Sequence, residues 1–162
     1  MEARMGEWQL DKTYMFRGDL VRYGTFGDGP AIVLVHGTPF SSYVWHRVAP
    51  HLADRHRVYF FDLLGYGRSE KREGQDVSLG VQHLLLAELL DHWALDRPHV
   101  VAHDFGGTYP DATSAPVPKK WRSICSARYF RARGSARLNR FSFTSIVWCL
   151  THCAHASLET FS

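Results

Sequence analysis

The stretch from His99 to Gly107 places the strongest constraint on what this chain can fold into. Its first four residues, His99–Ala102, form an apolar, β-leaning run, and a very tight turn that leads into a helix is predicted to follow. Asp104 lies at the apex of that turn. Small residues flank it where a strained strand-to-helix elbow needs them, at Ala102, Gly106 and Gly107. The pattern predicts that Asp104 holds the nucleophile position of an elbow, at the carboxyl edge of a sheet.

Several strands are predicted upstream of this elbow. They are Thr13–Phe16, Leu20–Phe26, Ala31–Val35 and Val58–Phe61. The first two are joined through a short turn, Arg17-Gly18-Asp19, and are predicted to form an antiparallel hairpin. The third is apolar throughout, which is typical of a strand buried on both faces of a parallel sheet.

Two helices are predicted between the strands. The first runs from Ser41 or Ser42 to about Asp54, and the second runs from Ser78 to about Leu95. Their apolar residues recur at helical spacing: Val44, Trp45, Val48, Ala49 and Leu52 in the first, and Val81, Leu84, Leu85, Leu89 and Trp93 in the second. The alternation indicates an α/β fold, with a mostly parallel sheet that helices cover on both faces.

The regular pattern stops at about Pro110. Prolines at positions 116 and 118 are incompatible with an ordinary continuation of the helix predicted after Asp104. Residues 112–162 carry a net charge of +7 and contain all three cysteines, whereas residues 1–111 carry −4. The chain is therefore divided into an N-terminal part of an α/β domain, 1–110, and an unassigned basic tail, 111–162. A disordered tail or a shifted reading frame would each explain so abrupt a change.

The predicted elbow strand has no recognisable strand after it with which to pair. We therefore expect a fold truncated after the elbow, in which His99–Ala102 exposes an apolar, unpaired edge. Such an edge predicts poor solubility, self-association, or a cover supplied by the tail. Phe141–Leu150 is the only candidate cover that the pattern offers.

Composition and motifs exclude several classes of function. The N-terminus has no apolar secretory signal and no segment could span a bilayer, so a cytoplasmic protein without membrane association is expected. Arg128–Arg140 is basic but lacks a nucleic-acid-binding motif. The tail's remaining candidates for a metal fit no standard ligand spacing: Cys149, His152, Cys153 and His155. No metal, cofactor or nucleic-acid partner is predicted.

Three stretches carry a family resemblance. They are His36-Gly37-Thr38-Pro39 with Ser41-Ser42-Tyr43-Val44-Trp45 behind it, Asp62-Leu63-Leu64-Gly65-Tyr66-Gly67-Arg68-Ser69, and His103-Asp104-Phe105-Gly106-Gly107. In this order and in this predicted context, the stretches resemble the α/β-hydrolase superfamily. The resemblance is closest to its Asp-nucleophile branch, the haloalkane dehalogenases and epoxide hydrolases. It covers about residues 8–110, the first half of such a domain.

The resemblance implies a role for three residues. Asp104 would attack an electrophilic carbon of a small apolar epoxide or haloalkane and form an alkyl-enzyme ester. The backbone N–H groups of Thr38 and Phe105 would form the oxyanion hole when water hydrolyses that ester. The residue pattern agrees, because both residues follow strands that end at the same sheet edge.

The chain also departs from the family pattern. Phe105 stands where the dehalogenases usually have a Trp that holds the halide, and Thr38 stands where they commonly have an Asn. No cap domain with the ring-opening tyrosines of epoxide hydrolases is recognisable. The base His and its acid come on later strands in the family, and His152 and His155 lack that context. The alternative is a truncated, catalytically inactive fragment with at most a binding or association role.

Structural roles are the alternative for the other motif residues. Asp104 could instead cap the helix that follows it. His103 is expected to be a buried structural residue, since it points away from its neighbour on the strand. His36 is expected to shape its loop, Pro39 could follow a cis bond, and Asp62 is expected to hydrogen-bond the Gly65–Ser69 loop.

Overall fold

A computed structural model describes residues 8–96, 98–103 and 123–127. These residues build a six-stranded sheet in the order β1-β2-β4-β3-β5-β6. The strands are β1 (Lys12–Phe16), β2 (Asp19–Phe26), β3 (Ala31–Val35), β4 (Arg57–Phe61), β5 (His99–His103) and β6 (Ser123–Ala127). The five strands predicted from the sequence are confirmed, with bounds that agree to within one residue.

The predicted hairpin of β1 and β2 is confirmed. Phe16 pairs with Asp19 across a two-residue turn. Arg17 and Gly18 in that turn have φ angles of 50° and 92°. Two successive positive φ angles define a type I′ turn, whose twist matches that of the flanking strands. Glycine adopts this conformation without strain, which explains its presence at the second position.

The centre of the sheet is parallel, as predicted. β3 pairs in parallel with β4 on one side and with β5 on the other, and β5 pairs in parallel with β6. Among the described strands only β2 runs against this direction, because it pairs antiparallel with both β1 and β4. The carboxyl ends of β3, β4 and β5 therefore lie together at one edge, with β3 in the middle.

The first predicted helix is broken, which corrects the prediction of one helix to about Asp54. The structure has a 3-10 helix, Ser42–Trp45, and then a short helix α1, Ala49–Ala53. Pro50 lies in the first turn of α1 and has no N–H to donate to the carbonyl of His46. A continuous α-helix through this point would lose that bond, so the chain restarts its helix at Ala49.

Helix α2 (Leu79–His92) confirms the second predicted helix, with Ser78 at its N-cap position. Its buried stripe is Gln82, Leu85, Leu86, Leu89 and Leu90. Leu84, one of the apolar residues at helical spacing, is 46% exposed. Leu84 lies about 100° around the helix from Leu85, outside the stripe that contacts the sheet.

The sheet has a hydrophobic core on each face. Val33 and Val35 of β3 pack in one core together with the buried leucines of α2. Ile32 and Leu34 point the other way and pack with Trp45 and the start of α1. The prediction that helices cover both faces is confirmed, and burial on both faces explains why β3 is apolar throughout.

The far edge of β5 is paired rather than open. Ser123–Ala127 forms β6 and pairs with His99–His103 along its whole length. The expectation that only Phe141–Leu150 could cover this edge is therefore wrong. Strand pairing uses main-chain groups, so a short segment suffices. The weakly apolar pattern of Ser123–Ala127 did not predict a strand. Self-association through a sheet edge stays a prediction.

The remaining predictions for the tail lie outside the described residues. Residues 104–122 and 128–162 are not among them, so the division at residue 110 stays a prediction. None of the helices in the described ranges has the length and apolar character that a membrane span requires.

Gly24 in β2 should not tolerate a side chain. A Cβ there would lie 2.5 Å from Phe60 Cζ and would also strike the backbone oxygen of Gln9. We expect Gly24→Ala to lower the free energy of unfolding by about 1–3 kcal/mol through overpacking. The control is Gly80→Ala in α2, where a Cβ meets nothing within 4 Å and helix propensity should add about 0.5–1 kcal/mol. Urea denaturation of both variants checks this, and equal midpoints would contradict the packing at Gly24.

The ion pair between Asp19 and Arg72 should make stability depend on pH. Arg72 Nε donates to Asp19 Oδ1 at 2.7 Å, and this hydrogen bond lowers the pKa of Asp19 despite the opposing effect of burial. A carboxyl with a lowered folded pKa stabilises the fold above its unfolded pKa, about 3.9, and loses that contribution as the pH falls through the folded pKa. Arg72→Gln should therefore reduce stability at pH 7 but not near pH 2. Denaturation at the two pH values checks this. The control is Arg17→Gln, which removes a more exposed ion pair, with Glu88 at 3.4 Å, and should change stability less. A loss of equal size at both pH values would contradict it.

Candidate active site

The predicted site residues fall on both sides of the boundary of the described residues. Thr38 lies in the loop after β3 (residues 36–41, the β3 loop) and is half-buried. Asp104 and Phe105 lie outside the described residues, directly after β5. Val35 pairs with Ala102 in the parallel register. The β3 loop therefore begins beside the end of the strand that leads to Asp104.

His36 is fully buried and connects two loops. Its Nε2 accepts a hydrogen bond from the backbone N–H of Leu63 at 2.9 Å. Because Nε2 accepts, the ring proton lies on Nδ1, which donates to the carbonyl of Gly37 at 2.8 Å. Both nitrogens are thus used in holding the β3 loop against the loop after β4. The expectation that His36 shapes its loop is confirmed.

Asp62 stands at the end of β4 and its carboxylate is 1% exposed. Oδ2 accepts from the backbone N–H of Arg68 at 2.7 Å, which confirms the predicted bond to the Gly65–Ser69 loop. Oδ1 accepts from the backbone N–H of Ser42, also at 2.7 Å. A buried carboxylate needs such donors, and here they come from two separate loops. The contact with Ser42 was not predicted, because it joins residues that are twenty positions apart.

The glycines of the loop after β4 (residues 62–72, the β4 loop) make this arrangement sterically possible. Gly67 has a φ of +53°, and a Cβ on it would collide with the carboxylate of Asp62. Gly65 has a φ of +79°, and a Cβ on it would lie 2.7 Å from Val77 Cγ1. Positive φ and close packing both favour glycine. The Gly-Tyr-Gly motif is therefore explained by close packing, of Gly67 against Asp62 and of Gly65 against Val77.

Gln82 attaches helix α2 to the same loop. Its side chain is fully buried, with Nε2 donating to the carbonyl of Leu64 at 2.9 Å. Its Oε1 accepts from the N–H of Leu64 at 3.2 Å. The one sign of this contact in the sequence is a glutamine within an otherwise apolar helix stripe, and no contact was predicted from it.

The β3 loop turns sharply after Thr38. The peptide bond between Thr38 and Pro39 is cis, which confirms the possibility raised from the sequence. Phe40 N–H donates to the carbonyl of Gly37 at 3.2 Å, which closes a turn around Thr38 and Pro39. Thr38 follows the end of β3, the strand that pairs with β5, by three residues.

An open depression of about 340 Å³ adjoins this turn. Its walls come from both loops and from the 3-10 helix: Pro39, Phe40, Ser41, Tyr43, Val44, His46 and Gly67. Phe40 and Tyr43 are 50% and 56% exposed, and none of the described residues that line the depression is a Lys, Arg, Asp or Glu. The surface beside Thr38 is thus suited to an uncharged, apolar group.

Other predicted candidates remain untested. The described ranges contain no group of three or more His, Cys, Asp or Glu side chains able to hold a metal. Cys149, His152, Cys153 and His155 lie outside those ranges, as does the Arg128–Arg140 stretch. His103 is the last residue of β5, and its predicted structural role stays a prediction.

Comparison with known proteins supports the fold. Residues 30–109 match the family model of the alpha/beta hydrolase fold. A fluoroacetate dehalogenase from Burkholderia sp is 40% identical over 85 residues, which are 50% of this chain and 28% of that protein. A soluble epoxide hydrolase from Corynebacterium sp. is 39% identical over 95 residues, 58% of this chain and 32% of that protein.

An ester hydrolase is also similar. A pimeloyl-[acyl-carrier protein] methyl ester esterase from Aeromonas salmonicida is 34% identical over 111 residues, 67% of this chain and 42% of that protein. The chain thus spans well under half the length of these three relatives.

A solved structure shows the same relationship. The crystal structure of an alpha/beta hydrolase fold protein from Burkholderia ambifaria has a TM-score of 0.61 and 55% sequence identity. The match covers 62% of this chain and 37% of that chain. Over part of its length the chain carries an alpha/beta hydrolase fold domain, and its relatives include dehalogenases and an epoxide hydrolase.

Proposed function

We propose that the chain provides the nucleophile half of a hydrolase that attacks an electrophilic carbon through Asp104. The observation that carries the proposal is the parallel pairing of β3 with β5, which ends at Val35 and Ala102. Thr38 follows the end of β3 by three residues, and Asp104 comes directly after the end of β5. Ligands of open α/β sheets bind at this carboxyl edge.

The first chemical step would form an ester. An oxygen of the Asp104 carboxylate attacks a carbon of the substrate, and the bond from that carbon to the epoxide oxygen or halogen breaks. Its electron pair leaves with the oxygen, which takes a proton from solvent, or with the halide. A carboxylate suits this displacement because its product is an ester that water can later cleave.

The second step would use the backbone donors. Water adds to the carbonyl carbon of the ester, a base takes the water's proton, and negative charge develops on the former carbonyl oxygen. The N–H groups of Thr38 and Phe105 are the proposed donors to that oxygen, a kind of interaction worth about 10²–10³ in rate. The collapse of the intermediate releases the alcohol and restores the carboxylate of Asp104.

The proposed substrate is a small apolar epoxide or haloalkane. The depression beside the Thr38–Pro39 turn supports this choice, because the walls that the structure describes are largely apolar and contain no Lys, Arg, Asp or Glu. The relatives include a fluoroacetate dehalogenase and a soluble epoxide hydrolase. Phe105 has no side-chain donor for a halide, which favours the epoxide of the two.

The second candidate is a catalytically inactive fragment with a binding or association role. It is favoured because no residue of the chain is assigned as the base or its acid partner. Without a base to activate water, an ester formed at Asp104 would persist. The two candidates differ in whether product is released.

The mass of the intact protein separates these possibilities. After incubation with styrene oxide, we expect a gain equal to the whole epoxide, and with 1-bromobutane a butyl group in place of a proton. Asp104→Ala should remove the gain, while Asp111→Ala, a neighbouring carboxylate, should retain it.

Each outcome has a defined meaning. A persistent adduct shows a reactive Asp104 without turnover, and release of diol or alcohol shows that a base is present. No adduct, or an adduct that survives Asp104→Ala, contradicts the proposed nucleophile and supports the inactive fragment.

A further inference from the structure

We propose that Asp62 is a positioning residue that holds the backbone N–H of Thr38 where the oxyanion forms. This inference rests on the proposed function of Thr38. The carboxylate of Asp62 is buried and does not reach the reacting atoms through any described contact; it acts through the β3 loop. Its role would therefore concern geometry and not proton transfer.

The β3 loop is fixed at both ends by the β4 loop. At one end, Leu63 N–H donates to His36 Nε2 at 2.9 Å. At the other end, Ser42 N–H donates to Asp62 Oδ1 at 2.7 Å. Thr38 lies between these two bonds. Both ends are held by consecutive residues of the β4 loop, Asp62 and Leu63. The path of the intervening chain is therefore fixed relative to β4.

Asp62 is itself held rigidly, which makes it a suitable support. Arg68 N–H occupies its second carboxylate oxygen at 2.7 Å. Ser69 Oγ donates to its backbone carbonyl at 2.6 Å and accepts from Arg22 N–H of β2 at 3.0 Å. The support thus extends from the β3 loop to the neighbouring strands of the sheet.

Only a carboxylate satisfies both loops at once. An asparagine offers one acceptor oxygen, and its NH₂ group would face a backbone N–H with no acceptor between them. Hydrogen bonds to a charged acceptor are also stronger than those to a neutral amide. Asp62→Asn keeps the volume but releases either Ser42 or Arg68, so it tests the support with little change in packing.

The expected effect is confined to one chemical step. Ester formation at Asp104 does not require the oxyanion donors, whereas attack on the ester carbonyl does. A displacement of about 1 Å in a catalytic group can cost on the order of a hundredfold in rate. Asp62→Asn should therefore slow ester cleavage about ten- to a hundredfold, with the rate of ester formation nearly unchanged.

The experiment uses the full chain loaded with styrene oxide and then treated with hydroxylamine. Hydroxylamine attacks the same ester carbonyl without help from a protein base, so the test works even if the chain lacks one. The loss of adduct mass with time gives the cleavage rate. Gln82→Met is the matched control, because at nearly constant volume it removes two buried hydrogen bonds of the β4 loop, those to the N–H and carbonyl of Leu64, and leaves both bonds of the Asp62 carboxylate in place.

A second pair of variants tests the same bond from the opposite side. Ser42→Pro removes the N–H that Asp62 accepts, at the first position of the 3-10 helix, where proline fits. Ser41 before it is already extended, with φ −135° and ψ 175°, as proline requires. Ser42→Ala keeps the N–H and removes only the hydroxyl that accepts from Trp8. Ser42→Pro stands in if Asp62→Asn does not fold.

Amide hydrogen exchange provides a readout that does not depend on chemistry. Phe40 and Val44 N–H groups donate to Gly37 and Ser41 carbonyls, so they report on the order of the β3 loop. Asp62→Asn and Ser42→Pro should speed their exchange at least tenfold relative to the two control variants.

The outcomes separate this inference from the proposed function. Slow cleavage in Asp62→Asn and Ser42→Pro, with cleavage in both controls within about threefold of the parent chain, supports the positioning role. Equal slowing in Gln82→Met, or no slowing in either test variant, overturns it. If the parent chain forms no adduct, the proposed function fails and amide exchange alone decides. Faster exchange only in Asp62→Asn and Ser42→Pro shows that Asp62 holds the β3 loop, and equally fast exchange in all variants overturns this.

Discussion

The burial of β3 on both faces and its pairing on both sides are the constraint on which the rest of the structure depends. Its side chains alternate between two cores, one closed by α2 and the other by Trp45 and α1. Its main-chain groups are used by β4 and β5. Every loop of the candidate site leaves one of these three strands at the same edge, so the relative placement of the loops follows from the sheet.

The sequence predicted those parts of the fold in which side-chain pattern and structure coincide. The strand β3 is apolar throughout because both of its faces are covered, and β1 and β2 are revealed by a glycine at a turn that needs positive φ. The pattern failed where main-chain chemistry decides. Pro50 ended a helix that the apolar spacing alone would continue, and β6 pairs through backbone groups that leave little trace in residue type.

The candidate site shows the same division. Motif and order sufficed to predict the loop roles of His36 and Asp62, both of which the geometry confirms. The long-range partners could not be predicted, because each is the backbone N–H of a residue distant in sequence. That residue is Leu63 for His36 and Ser42 for Asp62. Any residue except proline provides such a donor, so the sequence carries no mark of it. Asp104 and Phe105 remain predictions.

The bond pair between Gln82 and Leu64 has a consequence for which substitutions the chain can accept. The side chain of Gln82 bonds only to the main chain of Leu64: it donates to the carbonyl and accepts from the N–H. Identity at position 64 is therefore set by the volume of its buried surroundings, and exchange for another aliphatic residue leaves the attachment of α2 intact. Position 82 does not tolerate such an exchange, because both hydrogen bonds to Leu64 need a side chain of this length with a donor and an acceptor.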